Sequence, residues 1–145
     1  MTKHQINLVQ QSWTELLPIA RKAGELFYDK LFAAAPGVRH LFKPDVNEQA
    51  NKLMQVLGYI VSKLDHMEEL IPEVQKLGAR HHGYGAEPAH YEIVGQCLIA
   101  TLKEGLGAQW NAEVQDAWVN AYHSLKNVMI IAQDREKNQG SACLA

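Results

Sequence analysis

The sequence predicts an all-α fold of about six to eight helices, and three observations carry that expectation. Apolar residues recur at three- and four-residue steps over long stretches. Short breaks containing proline or glycine separate those stretches. No segment alternates apolar and polar residues between hairpin turns, and no long-period repeat is present.

Taken in order, Thr2 followed by Gln5 has the form of a capping box, and Ile6, Val9, Trp13, Leu16 and Leu17 follow at helical spacing. Pro18 predicts a bend, because it lacks an N–H and clashes with the preceding turn. Ala20, Ala23, Phe27, Leu31 and Ala34 continue an apolar stripe to Pro36, which suits the first position of a short helix over 36–42. A corner over 43–47 follows, where Asp45 or Asn47 is expected to cap a helix from Glu48 to Leu64. A shorter helix is expected over 71–82, ending at Gly83 and Gly85. Pro88 opens a helix that Gly105 and Gly107 stop, and a last helix is expected over 111–134.

With 145 residues the chain suits one domain, expected as a folded unit over 1–134 and a flexible polar tail over 135–145. A hydrophobic share of 47% with 21% charged residues excludes disordered and low-complexity classes. The longest apolar runs, such as Val128–Ala132, fall far short of the roughly 20 residues that span a bilayer. Fourteen Lys and Arg against sixteen Asp and Glu leave a net charge of −2 and no basic block, so neither nucleic acid nor a membrane is an expected partner. The N-terminus lacks the apolar core of a signal peptide, and the cytoplasm is the expected location. Cys97 and Cys143 are too few for a disulfide scaffold, and Cys97 suits a small core hydrophobe.

Chemistry narrows by absence first. The sequence holds no G-x-S-x-G, Walker loop, G-x-G-x-x-G, H-E-x-x-H or C-x-x-C. Gly83-Tyr84-Gly85 ends a helix instead of opening one, so it is no phosphate cradle. Of seven histidines, the adjacent His81 and His82 point about 100° apart and do not make a zinc pair. His81 ends an apolar helical face through Val74 and Leu77. Gly78, one turn earlier, removes bulk where a flat cofactor could approach. One axial histidine in an all-helical pocket is how a protein holds non-covalent haem.

Five signatures then stand in order: Phe27-Tyr28-Asp29-Lys30-Leu31-Phe32, Ala35-Pro36-Gly37-Val38-Arg39-His40-Leu41-Phe42, Lys52-Leu53-Met54-Gln55-Val56-Leu57-Gly58, Leu77-Gly78-Ala79-Arg80-His81 and His90-Tyr91-Glu92-Ile93-Val94-Gly95. Together they resemble the globin family, in particular bacterial single-domain globins of the flavohaemoglobin and neuroglobin-like branch. The resemblance spans roughly 6–132 and implies the three-over-three helical sandwich and haem b, iron protoporphyrin IX held without a covalent link.

The same resemblance implies that His81 is the proximal iron ligand, that Phe42 wedges against the haem plane, and that Tyr28, Gln49 and Leu53 face a bound gas. Gln49 and Leu53 are four residues apart and so share a helix face. Lys52 and Arg80 are expected near the haem propionates, although solvated charge suits both equally. Tyr28 also suits a half-buried core tyrosine, and Gln49 a solvated first-turn residue. In the flavohaemoglobin pattern a tyrosine and a glutamate polarise the proximal histidine. Tyr91 matches the tyrosine, whereas the glutamate position falls on Gln133, which is neutral and should weaken the push toward O–O cleavage.

What this implies for function is reversible binding of O2, CO or NO, with O2 held tightly by hydrogen bonds from Tyr28 and Gln49. An alternative is nitric oxide dioxygenation with a separate reductase, since flavohaemoglobins carry a flavin reductase domain after the globin. A gas sensor ranks third because it needs an output domain. Peroxidase activity is expected to be weak at most.

Overall fold

The computed structural model describes residues 1–83 and 87–144, and the side chains of all of these except 83, 88 and 136–144. Gly85 and the Cys143 side chain, both read in the sequence, lie outside the described residues. Six helices follow one another: α1 (Lys3–Leu16), α2 (Ala20–Ala34), α3 (Asn47–Ser62), α4 (Met67–Gly83), α5 (Pro88–Leu106) and α6 (Ala112–Leu144). Short 3-10 turns cover Leu17–Ile19, Pro36–Leu41 and Gly107–Gln109. Among the described residues there is no strand, and no helix is long and apolar enough to cross a membrane.

The local signals explain most boundaries. The Thr2 hydroxyl accepts from the Gln5 N–H at 3.1 Å, while the Gln5 side chain accepts from the Thr2 N–H at 3.2 Å, which completes the capping box of α1. Pro18 lies in the 3-10 turn that separates α1 from α2. Asp45 Oδ1 accepts from the Asn47 N–H at 2.9 Å, although the residue before α3 is Val46. Gly107, with φ at 55°, stops α5 in a conformation that costs other residues dearly. Gly105 is no stop: it lies inside the last turn, where a Cβ would stand 2.7 Å from Leu16 Cδ1.

Two helices outrun expectation. α4 begins at Met67, because the His66 carbonyl takes the N–H groups of Glu69 and Leu70, and Glu68 and Glu69 suit the positive end of a helix. Pro72 sits inside that helix and forfeits one hydrogen bond. α6 runs past Asp134 to Leu144, since the residues that follow are mostly good helix formers with no proline.

Packing groups α1, α5 and α6 as one layer, with α2, α3 and α4 laid across them: α2 on α5, α4 on α6 and α3 on α1. Trp118 Nε1 donates to Ser12 Oγ at 2.8 Å, and its ring lies 6.2 Å from that of Trp13, which ties α6 to α1. Gln10 Nε2 donates to the Val61 carbonyl at 3.0 Å and ties α1 to α3. Cys97 is buried in the core, as expected.

The tightest approach in the fold is between α4 and α6. A Cβ on Gly78 would stand 2.5 Å from the Met129 carbonyl oxygen and 2.8 Å from its Cα. Gly78 therefore makes room for a helix backbone, not for a flat cofactor as its position before His81 suggested. Gly78→Ala is expected to cost about 1–3 kcal/mol in urea denaturation, because α6 itself must move. Gly37→Ala, at a site where a Cβ meets nothing within 4 Å, should stay within about 0.5 kcal/mol of the parent.

Candidate functional site

Because α4 is drawn to α6 and α3 to α2 and α1, a cavity of about 720 Å³ stays between the helices. Eight of the residues singled out in the sequence line it, Tyr28, Phe42, Gln49, Lys52, Leu53, Arg80, His81 and Tyr91, whereas Gln133 does not. They come from α2, the corner before α3, α3, α4 and α5, and the fold alone brings them together. Most of the remaining wall is aliphatic or aromatic, including Leu31, Val38 and Leu57.

On the α4 wall, His81 is half-buried, and its Nδ1 lies 2.8 Å from the Leu77 carbonyl oxygen. A carbonyl only accepts, so Nδ1 carries the proton and the lone pair sits on Nε2, the tautomer in which an imidazole ligates a metal. Burial holds the His81 pKa below its usual value, the Leu77 bond opposes this, and the Arg80 charge adds to the lowering. The neutral ring that a metal ligand requires is thus the favoured form. His82 is also half-buried but is not among the residues that line the cavity.

Behind His81 stands Tyr91, with ring centroids 6.4 Å apart. The Tyr91 hydroxyl donates to Gln133 Oε1 at 2.8 Å, and both residues are buried. Two residues 42 apart in sequence meet because α5 and α6 pack side by side. Tyr122 adds a bond from its hydroxyl to the Tyr91 carbonyl, with its ring against Gly95, where a Cβ would stand 2.9 Å from Cε2.

Across the cavity, Tyr28 is 4% exposed and the side chain of Gln49 lines the same space. Burial pushes the Tyr28 pKa up to about 12, with the polar Gln49 side chain opposing, so Tyr28 is neutral and can donate at ordinary pH. Its ring meets Phe27 at 5.1 Å and Phe42 at 5.4 Å, both edge-on, which fixes where the hydroxyl points. Arg39 sits 4.6 Å over the Phe32 ring and donates to the carbonyls of Lys43 and Pro44, which braces the corner that carries Phe42. Lys52 lies at the rim, 62% exposed and 3.5 Å from Glu48, and Arg80 is likewise exposed.

The donor set and shape fit a flat, largely apolar group with one nitrogen ligand. The sequence did not reveal the deep end of the cavity, which Val9, Val61, Leu64, Leu98, Trp118 and Ala121 line. An apolar residue on a helical stripe reads as core whether it packs against a side chain or a hollow.

The globin family's sequence model matches residues 25–129 of the chain. The chain belongs to the globin family. Among relatives, the flavohemoprotein of Vibrio cholerae is 27% identical over 143 residues, 94% of this chain and 34% of that protein. The flavohemoprotein of Bacillus thuringiensis is 33% identical over 108 residues, 72% of this chain and 26% of that one. The chain spans about a third or less of the length of these curated relatives. A bacterial globin from Campylobacter jejuni shares the fold with a TM-score of 0.83 at 23% identity, over 94% of this chain and 99% of that one. An engineered carbene transferase from Rhodothermus marinus, whose name also assigns it as a nitric oxide dioxygenase, has the same TM-score and identity over 100% of this chain and 99% of that one. As a globin this chain takes haem.

Burial raises the pKa of both Tyr28 and Tyr91 to about 12, the Asp134 charge adding to the rise at Tyr91, and burial also pushes up that of Tyr122. Each favours the neutral phenol when folded, so the stability they lend is complete below pH 10 and is lost as pH rises toward 12. An alkaline titration followed by phenolate absorbance should therefore show these three ionising late, together with unfolding. Tyr28→Phe and Tyr91→Phe should each remove one late phenol.

Proposed function

We propose that this globin binds dioxygen reversibly and with high affinity, on haem b held by His81 without a covalent link. The observation that carries this reading is that Tyr28 and Gln49 line the same cavity as His81. Bound haem iron supplies the open coordination position that a diatomic gas takes. The protein supplies the rest. His81 offers a neutral imidazole whose orientation the Leu77 carbonyl sets. Tyr28 and Gln49 offer an O–H and an amide N–H to a gas ligand that gains negative charge, a preference that favours O2 over CO. Leu53 and Phe42 keep water out from either side of that pair. Lys52 and Arg80 at the rim suit the two propionates.

The relatives' names support a second reading, nitric oxide dioxygenation with electrons from a separate reductase in the cytoplasm. Both readings want O2 held tightly, so they share the Tyr28 and Gln49 requirement. Rapid nitrate formation when a reductase is supplied separates them.

Tyr28→Phe is expected to speed O2 release roughly 10- to 100-fold, the worth of a hydrogen bond to a charged acceptor at about 1.5–3 kcal/mol. Stopped-flow displacement by CO measures this, and an unchanged release rate removes Tyr28 from the role. On the other wall, Gln133→Glu should lower the ferric–ferrous reduction potential, because a carboxylate acceptor draws the Tyr91 proton and enriches the ligand imidazole. Spectroelectrochemistry reads the shift, and the unchanged potential would mean that Tyr91 does not couple Gln133 to His81.

A further inference from the structure

On the outer surface between α3 and α4 lies a second space, an open cleft of about 210 Å³. Gln55, Val56, Ile60, Leu77 and Arg80 line this cleft and the large cavity alike. The partition between solvent and cavity is therefore one side chain thick there. Val56 is 37% exposed on the cleft side, Ile60 is 8% exposed, and Leu77 is half-buried.

Among the described residues, these side chains are what separates the two spaces. α3 packs on α2 and α1, α4 packs on α6, and the two helices make no substantial backbone approach to each other. A helix pair with interlocked ridges opens only by moving a helix, whereas a partition of side chains opens when rotamers change. Three of the five shared residues, Val56, Ile60 and Leu77, are branched aliphatic, with the exposed Gln55 and Arg80 beside them. An aliphatic barrier turns back water and ions, which lose hydrogen bonds in crossing it, but not a small apolar molecule. The other border of the cavity is polar, with exposed Gln49 and Lys52. Leu77 also places the partition one helical turn from His81.

We propose that this partition is a passage through which diatomic gas enters and leaves the cavity, bypassing the Gln49 and Lys52 rim. The proposal rests on the gas-binding reading above. A barrier on a path slows entry and exit by the same factor and leaves the equilibrium unchanged, whereas damage to the binding site alters affinity. The haem-loaded full chain should thus show CO association and dissociation both slowed severalfold in Val56→Trp, with the dissociation constant unmoved. Val56→Ala should speed both, again at constant affinity. Laser photolysis adds a second readout: more of the released CO should rebind before escape in Val56→Trp and less in Val56→Ala. Ile60→Phe serves as an independent plug. Rates equal to the parent in both plugged variants overturn the passage, and so does a change confined to dissociation. A parent chain that gains no Soret band with hemin would instead sink the gas-binding reading itself.

Discussion

The close approach of α4 and α6 at Gly78 sets the geometry on which the site depends. With no Cβ at Gly78, the Met129 backbone lies against α4 one turn before His81. That contact fixes the height of His81 over the cavity. It also fixes α6 one turn further on, where Gln133 meets Tyr91. A side chain at residue 78 would lift α6 from α4 and separate Gln133 from the Tyr91 ring, which lies tilted near His81. The packing contact and the chemistry of the α4 wall are thus one constraint.

The same contact leaves the cavity open. A helix that satisfies one face against α6 cannot also close on α3, and α3 is committed to α2 and α1. Val38, Leu31 and Leu57 then line a hollow, and an apolar hollow costs stability in proportion to its volume. A group that fills it returns the lost contacts and adds its binding free energy to folding. The architecture thereby favours a large, flat, apolar occupant over water, for which the walls provide few partners.

How much of this was legible in the sequence follows from what each signal encodes. Helical period and breakers placed all six helices, because burial of one face is written into spacing. The helix expected over 71–82 begins instead at Met67, because the His66 carbonyl and two acidic residues open it, and neither carries an apolar spacing. His81 stood out from its apolar helical face, whereas the other seven expected site residues came from family resemblance, since a tyrosine or glutamine at one position carries no mark of what it faces. Gly78 shows the limit most clearly: a missing side chain announces that something comes close, not whether it is a cofactor or a helix. The Tyr91–Gln133 bond joins residues 42 apart on two helices, and local spacing has nothing to say about such a pair. Trp118 and Ala121 lie on the stripe of α6 that reads as plain core, and only the fold shows a hollow in front of them.

The α4 wall bears on which chemistry the proposed haem site suits. Gln133 gives Tyr91 a neutral acceptor in a place where a carboxylate would pay a desolvation penalty and would sit beside Asp134 in sequence. The positive charge of Arg80 acts on His81, and the Leu77 carbonyl is a neutral partner for Nδ1. On the proposed reading, a Tyr91 hydroxyl bonded to an amide oxygen and not to a carboxylate gives the imidazole less electron push toward breaking an O–O bond. On the same reading, the neutral Tyr28 phenol and the Gln49 amide on the opposite wall would hold a charged gas ligand by hydrogen bonds without supplying a strong acid. A site built this way favours retention of O2 over its cleavage, which is why tight reversible binding, and not peroxidase chemistry, is the reading that both walls support.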